Sequence, residues 1–222
     1  MKRFMTVLTL LTMLSFSKDQ QKEHILFFGD SITQAGVGPD GYITVLGNMI
    51  RDKGLSARYQ LTGAGIGGNK VYDLYLRMED DVLARNPNTV VIWVGVNDVW
   101  HKRSYGTGTD ADKFEKFYNA IIKKLQARNI KVLLCTPAAI GEKTDFSNEL
   151  DGDLNKYSGI IRNIAKNNNC KLIDLRKAFL DYNLTNNPEN KDRDMLTSDG
   201  VHLNTKGNAF VAEIMYRELV GK

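Results

Sequence analysis

Five short apolar segments, each followed by residues with helical periodicity, constrain the fold of this chain more than any other feature. The segments are HILFFG (24–29), ARYQLTG (57–63), TVVIWVG (89–95), KVLLCT (131–136) and KLIDL (171–175). Three of them are nearly continuous apolar runs, which is typical of strands that are buried on both faces of a parallel sheet. The alternation of strand and helix predicts a three-layer α/β/α sandwich around a five-stranded parallel sheet.

Helices are predicted between these strands because apolar residues recur there at a spacing near 3.6. The positions are Val71, Leu74, Tyr75, Met78 and Val82 after the second strand, Phe114, Phe117, Ile121 and Leu125 after the third, and Phe210, Val211, Ile214 and Met215 near the end of the chain. Two polar loops, 141–153 and 183–198, are long enough to form the rims of a site. In a doubly wound sheet, ligands bind at the carboxyl ends of the strands, so functional residues are expected there.

The first 17 residues have the pattern of a secretory signal peptide. Lys2 and Arg3 precede an uncharged apolar run over 4–16, and small residues at 15 and 17 stand where a signal peptidase cuts. The run is shorter than the roughly 20 apolar residues that span a bilayer, which favours a cleaved signal over a membrane anchor. We therefore expect a secreted or periplasmic protein in which residues 18–222 form a single domain without stable membrane insertion.

Charge and cysteine content exclude several classes of partner. Without Lys2 and Arg3, 28 basic residues remain against 26 acidic ones, and they are scattered, so neither nucleic acid nor an anionic membrane is expected as a partner. Cys135 and Cys170 fall near opposite edges of the predicted sheet and are not expected to pair, because a disulfide needs Cα atoms within about 7 Å. No metal or cofactor is expected, because the histidines and cysteines lack ligand spacing and residues 151–153 (DGD) lack the rest of a calcium loop. The oligomeric state is left open.

The residues after the predicted strands supply the parts of a serine hydrolase. Ser31 follows the first strand where a helix begins, so its hydroxyl can be exposed at the edge of the sheet. His202 is a candidate base, and Asp199, three residues earlier, can accept a hydrogen bond from the other ring nitrogen and thereby select the tautomer. Thr33 excludes the G-x-S-x-G nucleophile elbow, which needs glycine at that position.

Four blocks along the chain together resemble the SGNH hydrolase superfamily, whose members are also called GDSL-type esterases. The blocks are GDS at 29–31, GIGGN at 65–69, GVND at 95–98 and DGVH at 199–202. They occur in the family's order and cover nearly all of the predicted mature chain. Ile32 replaces the family's namesake leucine, which is a conservative difference.

The resemblance implies a flavodoxin-like SGNH hydrolase fold and a role for each matching residue. It implies that Ser31 is the nucleophile of an acyl-enzyme mechanism and that Asp199 and His202 complete a catalytic triad. It further implies an oxyanion hole formed by the backbone amides of Ser31 and Gly68 and the side-chain amide of Asn97. Because glycine has no Cβ, the amide of Gly68 is expected to be open to a substrate oxygen.

The same glycine-rich turn also fits a nucleotide-binding pattern. Gly63, Gly65 and Gly68 match G-x-G-x-x-G. The context disagrees, because the turn follows the second strand rather than the first, and no acidic residue ends the next strand to hold a ribose. Both kinds of turn present backbone amides to negative charge at a helix N-terminus, so a transient oxyanion is expected here instead of a pyrophosphate.

The sequence is compatible with several classes of ester substrate. Trp100 and Tyr105 follow the third block, where they could stack on a sugar, and His101 is a further candidate for the rim although a histidine in a loop more often faces solvent. Export, the polar loops and the aromatic side chains of Trp100 and Tyr105 together favour an enzyme that removes acetyl or other short acyl groups from a carbohydrate, and small-molecule esters are also open. The alternative is a lysophospholipase or thioesterase acting on longer acyl chains, which would favour an apolar lid that neither polar loop contains. A binding module without turnover is disfavoured because no residue of the triad is lost.

Overall fold

A computed structural model describes residues 22–221 of the chain; the predicted signal peptide, 1–17, lies outside the described residues. Five parallel strands form one sheet in the order β2-β1-β3-β4-β5. The strands are β1 (Glu23–Gly29), β2 (Tyr59–Gly65), β3 (Thr89–Trp93), β4 (Lys131–Cys135) and β5 (Lys171–Ile173). This order is that of flavodoxin-like doubly wound folds, and it confirms the predicted fold class.

Eight α-helices are assigned in the described part of the chain, and they cover both faces of the sheet. They are α1 (Ser31–Ala35), α2 (Tyr42–Asp52), α3 (Val71–Asp81), α4 (Val96–Ser104), α5 (Ala111–Gln126), α6 (Asp151–Asn167), α7 (Leu175–Asn186) and α8 (Thr205–Leu219), with a 3₁₀ turn at Leu83–Arg85. The side chains of β1 alternate between the faces: Leu26 and Phe28 pack against α3, α5 and α6, whereas Ile25 and Phe27 pack against α2, α7 and α8. The result is the three-layer sandwich that the sequence predicts.

The boundaries of two strands differ from the predicted ones. β2 begins at Tyr59 rather than at residue 57 and continues to Gly65, where it pairs with Gly29 at the end of β1. β5 ends at Ile173 because Asp174 caps the next helix: its side chain accepts a hydrogen bond from the amide of Lys177. A helix N-cap therefore overrides the apolar pattern of KLIDL.

Helices take up part of both predicted polar loops. Helix α6 already begins at Asp151, within the predicted loop 141–153. Helix α7 continues to Asn186, and its residue Asn183 is buried. The remaining loops, 141–150 and 187–204, lie at the carboxyl edge of the sheet and contact each other there, with the amide of Gly141 donating to the carbonyl of Gly200 at 2.9 Å.

The two cysteines lie at opposite ends of their neighbouring strands. Cys135 ends β4 and is level with Ile173, the last residue of β5, whereas Cys170 directly precedes β5. Both thiols are free. Over residues 22–221, no helix combines the length and the apolar character that crossing a membrane requires.

Candidate active site

Ser31 begins helix α1 directly after β1, in a turn that Asp30 stabilises. The Asp30 side chain accepts a hydrogen bond from the amide of Ile32 at 3.0 Å and so caps the helix. Asp30 is 1% exposed, and this burial raises the pKa of its carboxyl to about 7. The hydroxyl of Ser31 lies 2.9 Å from Nε2 of His202, although the two residues are 171 positions apart in sequence.

Asp199 and His202 lie on one tight loop before α8. Oδ2 of Asp199 is 2.7 Å from Nδ1 of His202, and Oδ1 accepts the backbone amides of Val201 at 2.9 Å and His202 at 2.7 Å. Partial burial of Asp199 opposes ionisation, but the hydrogen bonds from the His202 ring and from these two amides outweigh it and lower the pKa of the carboxyl. An ionised Asp199 accepts a hydrogen bond and so favours the tautomer with the proton on Nδ1, which leaves Nε2 as the acceptor that faces Ser31.

The glycine-rich turn lies beside Ser31 and has one free amide. Gly67 donates its amide to Oε1 of Gln34 at 2.8 Å, whereas the amide of Gly68 has no hydrogen-bond partner within residues 22–221. An ideal Cβ on Gly67 would lie 3.9 Å from the Cβ of Ser31, which shows how closely the turn approaches the serine. Of the two neighbouring amides, only that of Gly68 is available to a ligand.

Gly68 adopts a backbone conformation that other residues avoid. Its φ is +75°, in the left-handed region, and the buried Lys70 holds the turn by donating from Nζ to the carbonyl of Gly68 at 3.0 Å. An added Cβ would meet nothing closer than Cε1 of His101, at 3.7 Å, which is an ordinary contact. The conformation, rather than lack of space, therefore requires glycine at this position.

Asn97 lies in the first turn of helix α4, which follows β3, and it contacts the glycine-rich turn after β2. It is 2% exposed, and its Nδ2 donates to the carbonyl of Asn69 at 3.1 Å. The next residue, Asp98, is fully buried and accepts the amide of Val71 at 3.2 Å, so α4 and α3 are joined at their N-termini. Burial raises the pKa of Asp98 to about 7.

The three predicted rim residues form an aromatic row at the end of α4. The ring of Trp100 is 6.3 Å from that of His202 and 5.6 Å from that of His101, and Tyr105 meets His101 edge-on at 4.9 Å. Tyr105 is 69% exposed. The prediction that His101 lies in a loop is wrong: it lies on α4 and is half-buried, and this burial together with the charge of Lys70 lowers the pKa of the ring.

Glu142 supports this site, although no pattern in the sequence singles it out. The side chain is 1% exposed, and its two carboxylate oxygens accept the backbone amides of Met195 at 2.9 Å and Leu196 at 2.8 Å. These amides belong to the loop that leads to Asp199 and His202. A single acidic residue in a polar stretch carries no periodic signal, so its burial could not be predicted from the sequence.

The grouping as a whole provides the elements of acyl transfer: a hydroxyl bonded to an imidazole, a carboxylate on the other ring nitrogen, and amide donors close to the hydroxyl. No group of three or more His, Cys, Asp or Glu side chains placed to hold a metal ion occurs within residues 22–221.

Known proteins resemble this chain over nearly all of its described length. The model of the GDSL-like Lipase/Acylhydrolase family matches residues 27–210. An acetylxylan esterase of Geobacillus stearothermophilus is 28% identical over 213 residues, covering 89% of this chain and 94% of that protein. The crystal structure of an acetyl xylan esterase, AlAXEase, is 68% identical, with a TM-score of 0.88, and covers 89% of this chain and 100% of that chain. The crystal structure of Axe2, an acetylxylan esterase from Geobacillus stearothermophilus, is 25% identical with a TM-score of 0.79, covering 91% of this chain and 96% of that chain.

Proposed function

The chain belongs to the GDSL-like lipase/acylhydrolase family and is a carboxylic ester hydrolase, and from that premise we propose that it removes acetyl groups from acetylated carbohydrates. The observation that carries the proposal is the hydrogen-bonded series Ser31, His202 and Asp199, with distances of 2.9 and 2.7 Å. The likeness to acetyl xylan esterases, at 68% identity in one case, supports acetate as the acyl group and a carbohydrate as its carrier.

In the proposed mechanism, Ser31 attacks the carbonyl carbon of the acetyl ester. His202 takes the hydroxyl proton at Nε2 as the Oγ–C bond forms, and Asp199 stabilises the resulting imidazolium through Nδ1. Collapse of the tetrahedral intermediate breaks the bond to the sugar oxygen, which leaves with the proton from His202. A water molecule, deprotonated by His202, then attacks the acetyl-enzyme and releases acetate, which restores the hydroxyl of Ser31.

The negative oxygen of the intermediate needs donors that are in place before the reaction begins. We assign this task to the amides of Ser31 and Gly68 and to Nδ2 of Asn97. The geometry supports the choice of Gly68, because the neighbouring amide of Gly67 is already bonded to Gln34. Asn97 is also held in position, since one hydrogen of its amide is engaged by the carbonyl of Asn69 and the second remains available.

The aromatic row at the end of α4 is the part of the site that suits a sugar. Trp100 lies next to His202, and the exposed ring of Tyr105 extends the row away from it. Aromatic faces pack well against the apolar faces of pyranose rings. We therefore expect Tyr105→Ala to raise KM for acetylated xylo-oligosaccharides while leaving hydrolysis of a small aryl acetate nearly unchanged.

Two measurements test the hydrolase proposal and its substrate. A fluorophosphonate probe should label the wild-type protein at Ser31 and leave Ser31→Ala unlabelled; a folded wild-type protein that stays unlabelled contradicts the mechanism. Acetate release from acetylated xylan should then be compared with hydrolysis of aryl esters of increasing acyl length. Rates that peak at octanoyl or longer esters, with no acetate released from xylan, would instead support a lysophospholipase or thioesterase.

We also propose that the protein is exported from the cytoplasm and that residues 1–17 are its signal peptide. These residues lie outside the part of the chain that the structure describes. The support for export is the basic and apolar pattern of residues 1–17. N-terminal sequencing of the protein recovered from outside the cytoplasm should begin close to Lys18. Recovery of the full-length chain inside the cells would contradict it.

A further inference from the structure

Arg77, on helix α3, has a role that the triad and the oxyanion donors do not include. Its side chain is 15% exposed, and the guanidinium lies over the ring of Phe28 at 4.5 Å. It donates four hydrogen bonds, and only the one to Asp81, at 2.6 Å, stays within its own helix. The other acceptors are the carbonyls of Gly29 at 2.8 Å and Ala64 at 3.0 Å, and Oδ1 of Asn69 at 2.7 Å.

These three acceptors belong to the two segments that bear the backbone oxyanion donors, Ser31 and Gly68. Gly29 ends β1, two residues before Ser31, and Ala64 is the last residue but one of β2, four residues before Gly68. Asn69 directly follows Gly68, and its own carbonyl accepts the hydrogen bond from Asn97. One side chain therefore joins the segment of Ser31 to that of Gly68, and it bonds the residue to which Asn97 donates.

The chemistry of a guanidinium suits this task. It is planar and permanently charged, and it offers five N–H donors in fixed directions, whereas a lysine offers one compact ammonium. Nη2 donates to the carbonyls of Gly29 and Ala64, which lie close to the ends of two neighbouring strands. Nε donates to Asn69, and Nη1 donates to Asp81. All three nitrogens of the guanidinium therefore donate hydrogen bonds. Asp81 is four residues after Arg77 on α3, so the bond to this carboxylate ties the guanidinium to its own helix.

We propose that Arg77 is a positioning residue that sets the relative placement of the amides of Ser31 and Gly68 and of the side chain of Asn97. This inference rests on the function proposed above. Arg77 does not itself contact the substrate. Donors that are misplaced by a fraction of an ångström bind the ground-state ester almost as well, but they stabilise the oxyanion less, so the change should appear in kcat rather than in KM.

The chain offers a matched control in Arg85. It also pairs with Asp81, at 3.9 Å, and its side chain is 42% exposed, but unlike Arg77 it makes no hydrogen bond to Gly29, Ala64 or Asn69. Substitution of either arginine therefore removes a cation next to Asp81. Loss of the contacts to the oxyanion segments is specific to Arg77.

The experiment measures kcat and KM for 4-nitrophenyl acetate in the wild type, Arg77→Met, Arg77→Lys and Arg85→Met. Arg77→Met should lower kcat by roughly tenfold or more, with KM changed less than about threefold, and Arg77→Lys should fall between it and the wild type. Arg85→Met should have wild-type kinetics. A folded Arg77→Met with wild-type kcat, or an equal loss in Arg85→Met, overturns the inference.

If Arg77→Met does not fold, a double-mutant cycle of Arg77→Lys with Asn69→Ala decides the question. Both substitutions cut the link between Nε and Asn69, so their effects on kcat should be smaller together than the product of the separate effects. Independent effects would overturn the inference. A wild-type protein that neither hydrolyses the aryl acetate nor labels at Ser31 contradicts the proposed function itself, whereas an active wild type with active Arg77 variants contradicts only the role of Arg77.

Discussion

Gly65 and Gly68 belong to the same motif, but their surroundings require glycine for different reasons. An ideal Cβ on Gly65 would lie 2.1 Å from the amide nitrogen of Gln34 and 2.5 Å from the carbonyl carbon of Thr33. These are backbone atoms of α1, and they cannot move without moving Ser31. Gly68 has free space around it and a φ of +75°. Gly65 thus allows the helix to approach β2, whereas Gly68 allows the turn to expose its amide.

Substitution of alanine should separate these two requirements. We expect Gly65→Ala to lower the free energy of unfolding by about 3 kcal/mol or more, because the overlap is with backbone. Gly68→Ala should lower the free energy of unfolding by only about 1–2 kcal/mol, which is the cost of a left-handed alanine. It should nevertheless lose most of its turnover, because the backbone amide would point in another direction. Urea unfolding and kcat for an aryl acetate measure the two effects. Equal stabilities of the two variants would show that the contacts of Gly65 do not matter.

The contribution of the Asn97 side chain to turnover can be tested by removing its amide. Removing one such donor typically costs about 2.7–4 kcal/mol of transition-state stabilisation, so Asn97→Ala should lower kcat at least roughly tenfold. Folding should change little, because the substitution removes one hydrogen bond, to the carbonyl of Asn69. The check is steady-state kinetics beside a thermal unfolding curve. Unchanged turnover would remove Asn97 from the oxyanion hole.

At the scale of elements, the loop before α8 depends on a contact from the distant loop 141–150. Glu142 is buried, and its carboxylate accepts two amides of the 187–204 loop, while its own amide donates to the carbonyl of Asp192 at 3.0 Å. Two irregular segments thus support each other without forming a strand. The loop bearing Asp199 and His202 is held by this contact in addition to its own turn.

Glu142→Gln should weaken this contact while preserving the shape of the side chain. One of its two acceptor oxygens becomes an NH₂ group, which would face a buried backbone N–H, at a cost of about 1–3 kcal/mol in unfolding free energy. A suitable control is Glu149→Gln in the same loop, since Glu149 pairs with Arg103 at an exposed position and should matter by less than about 1 kcal/mol. Equal effects in urea unfolding would show that burial of Glu142 is not decisive.

For the whole molecule, two buried carboxyls predict how stability depends on pH. Asp30 and Asp98 both lie at the carboxyl edge of the sheet, and burial raises the pKa of each from 3.8 to about 7. Between these values the folded protein binds more protons than the unfolded chain does. The unfolding free energy therefore falls as pH rises through this window, and the loss is complete above about pH 7. The lowered pKa values of Asp174 and Asp199 act in the opposite sense as pH falls below 3.8. Burial lowers the pKa values of His24 and His101, and these rings also oppose the trend as pH falls below 6.5. The two aspartates titrate across the whole window, and substitution of one of them isolates their contribution from that of the histidines.

We expect urea unfolding to show greater stability at about pH 5 than at about pH 8. Asp98→Asn should reduce this difference, because an amide does not ionise and still accepts the amide of Val71 through its oxygen. Stability that is constant or rises with pH, with no change in Asp98→Asn, would contradict the proposed titration of these groups.

Much of the fold follows from local patterns in the chain. Continuous apolar runs predict β1, β3 and β4, and helical spacing predicts α3, α5 and α8, because burial on a sheet or on one helix face requires these periods. The errors occur where another contact overrides the pattern. The edge strand β2 is shifted to pair with β1, and β5 is cut short by the cap at Asp174.

The sequence by itself determined the chemical groups of the site and the ends of strands that bear them. Asp199 and His202 could be paired from their spacing, because three residues of one turn bring a carboxylate to an imidazole. The family resemblance implied that Ser31 meets His202, and the structure shows the 2.9 Å contact across 171 residues. Only the tertiary structure revealed the contacts of Arg77 and Glu142. Arg77 and Glu142 bond backbone carbonyls and amides of segments distant in sequence, and these groups are the same in every residue and leave no mark in the order of side chains.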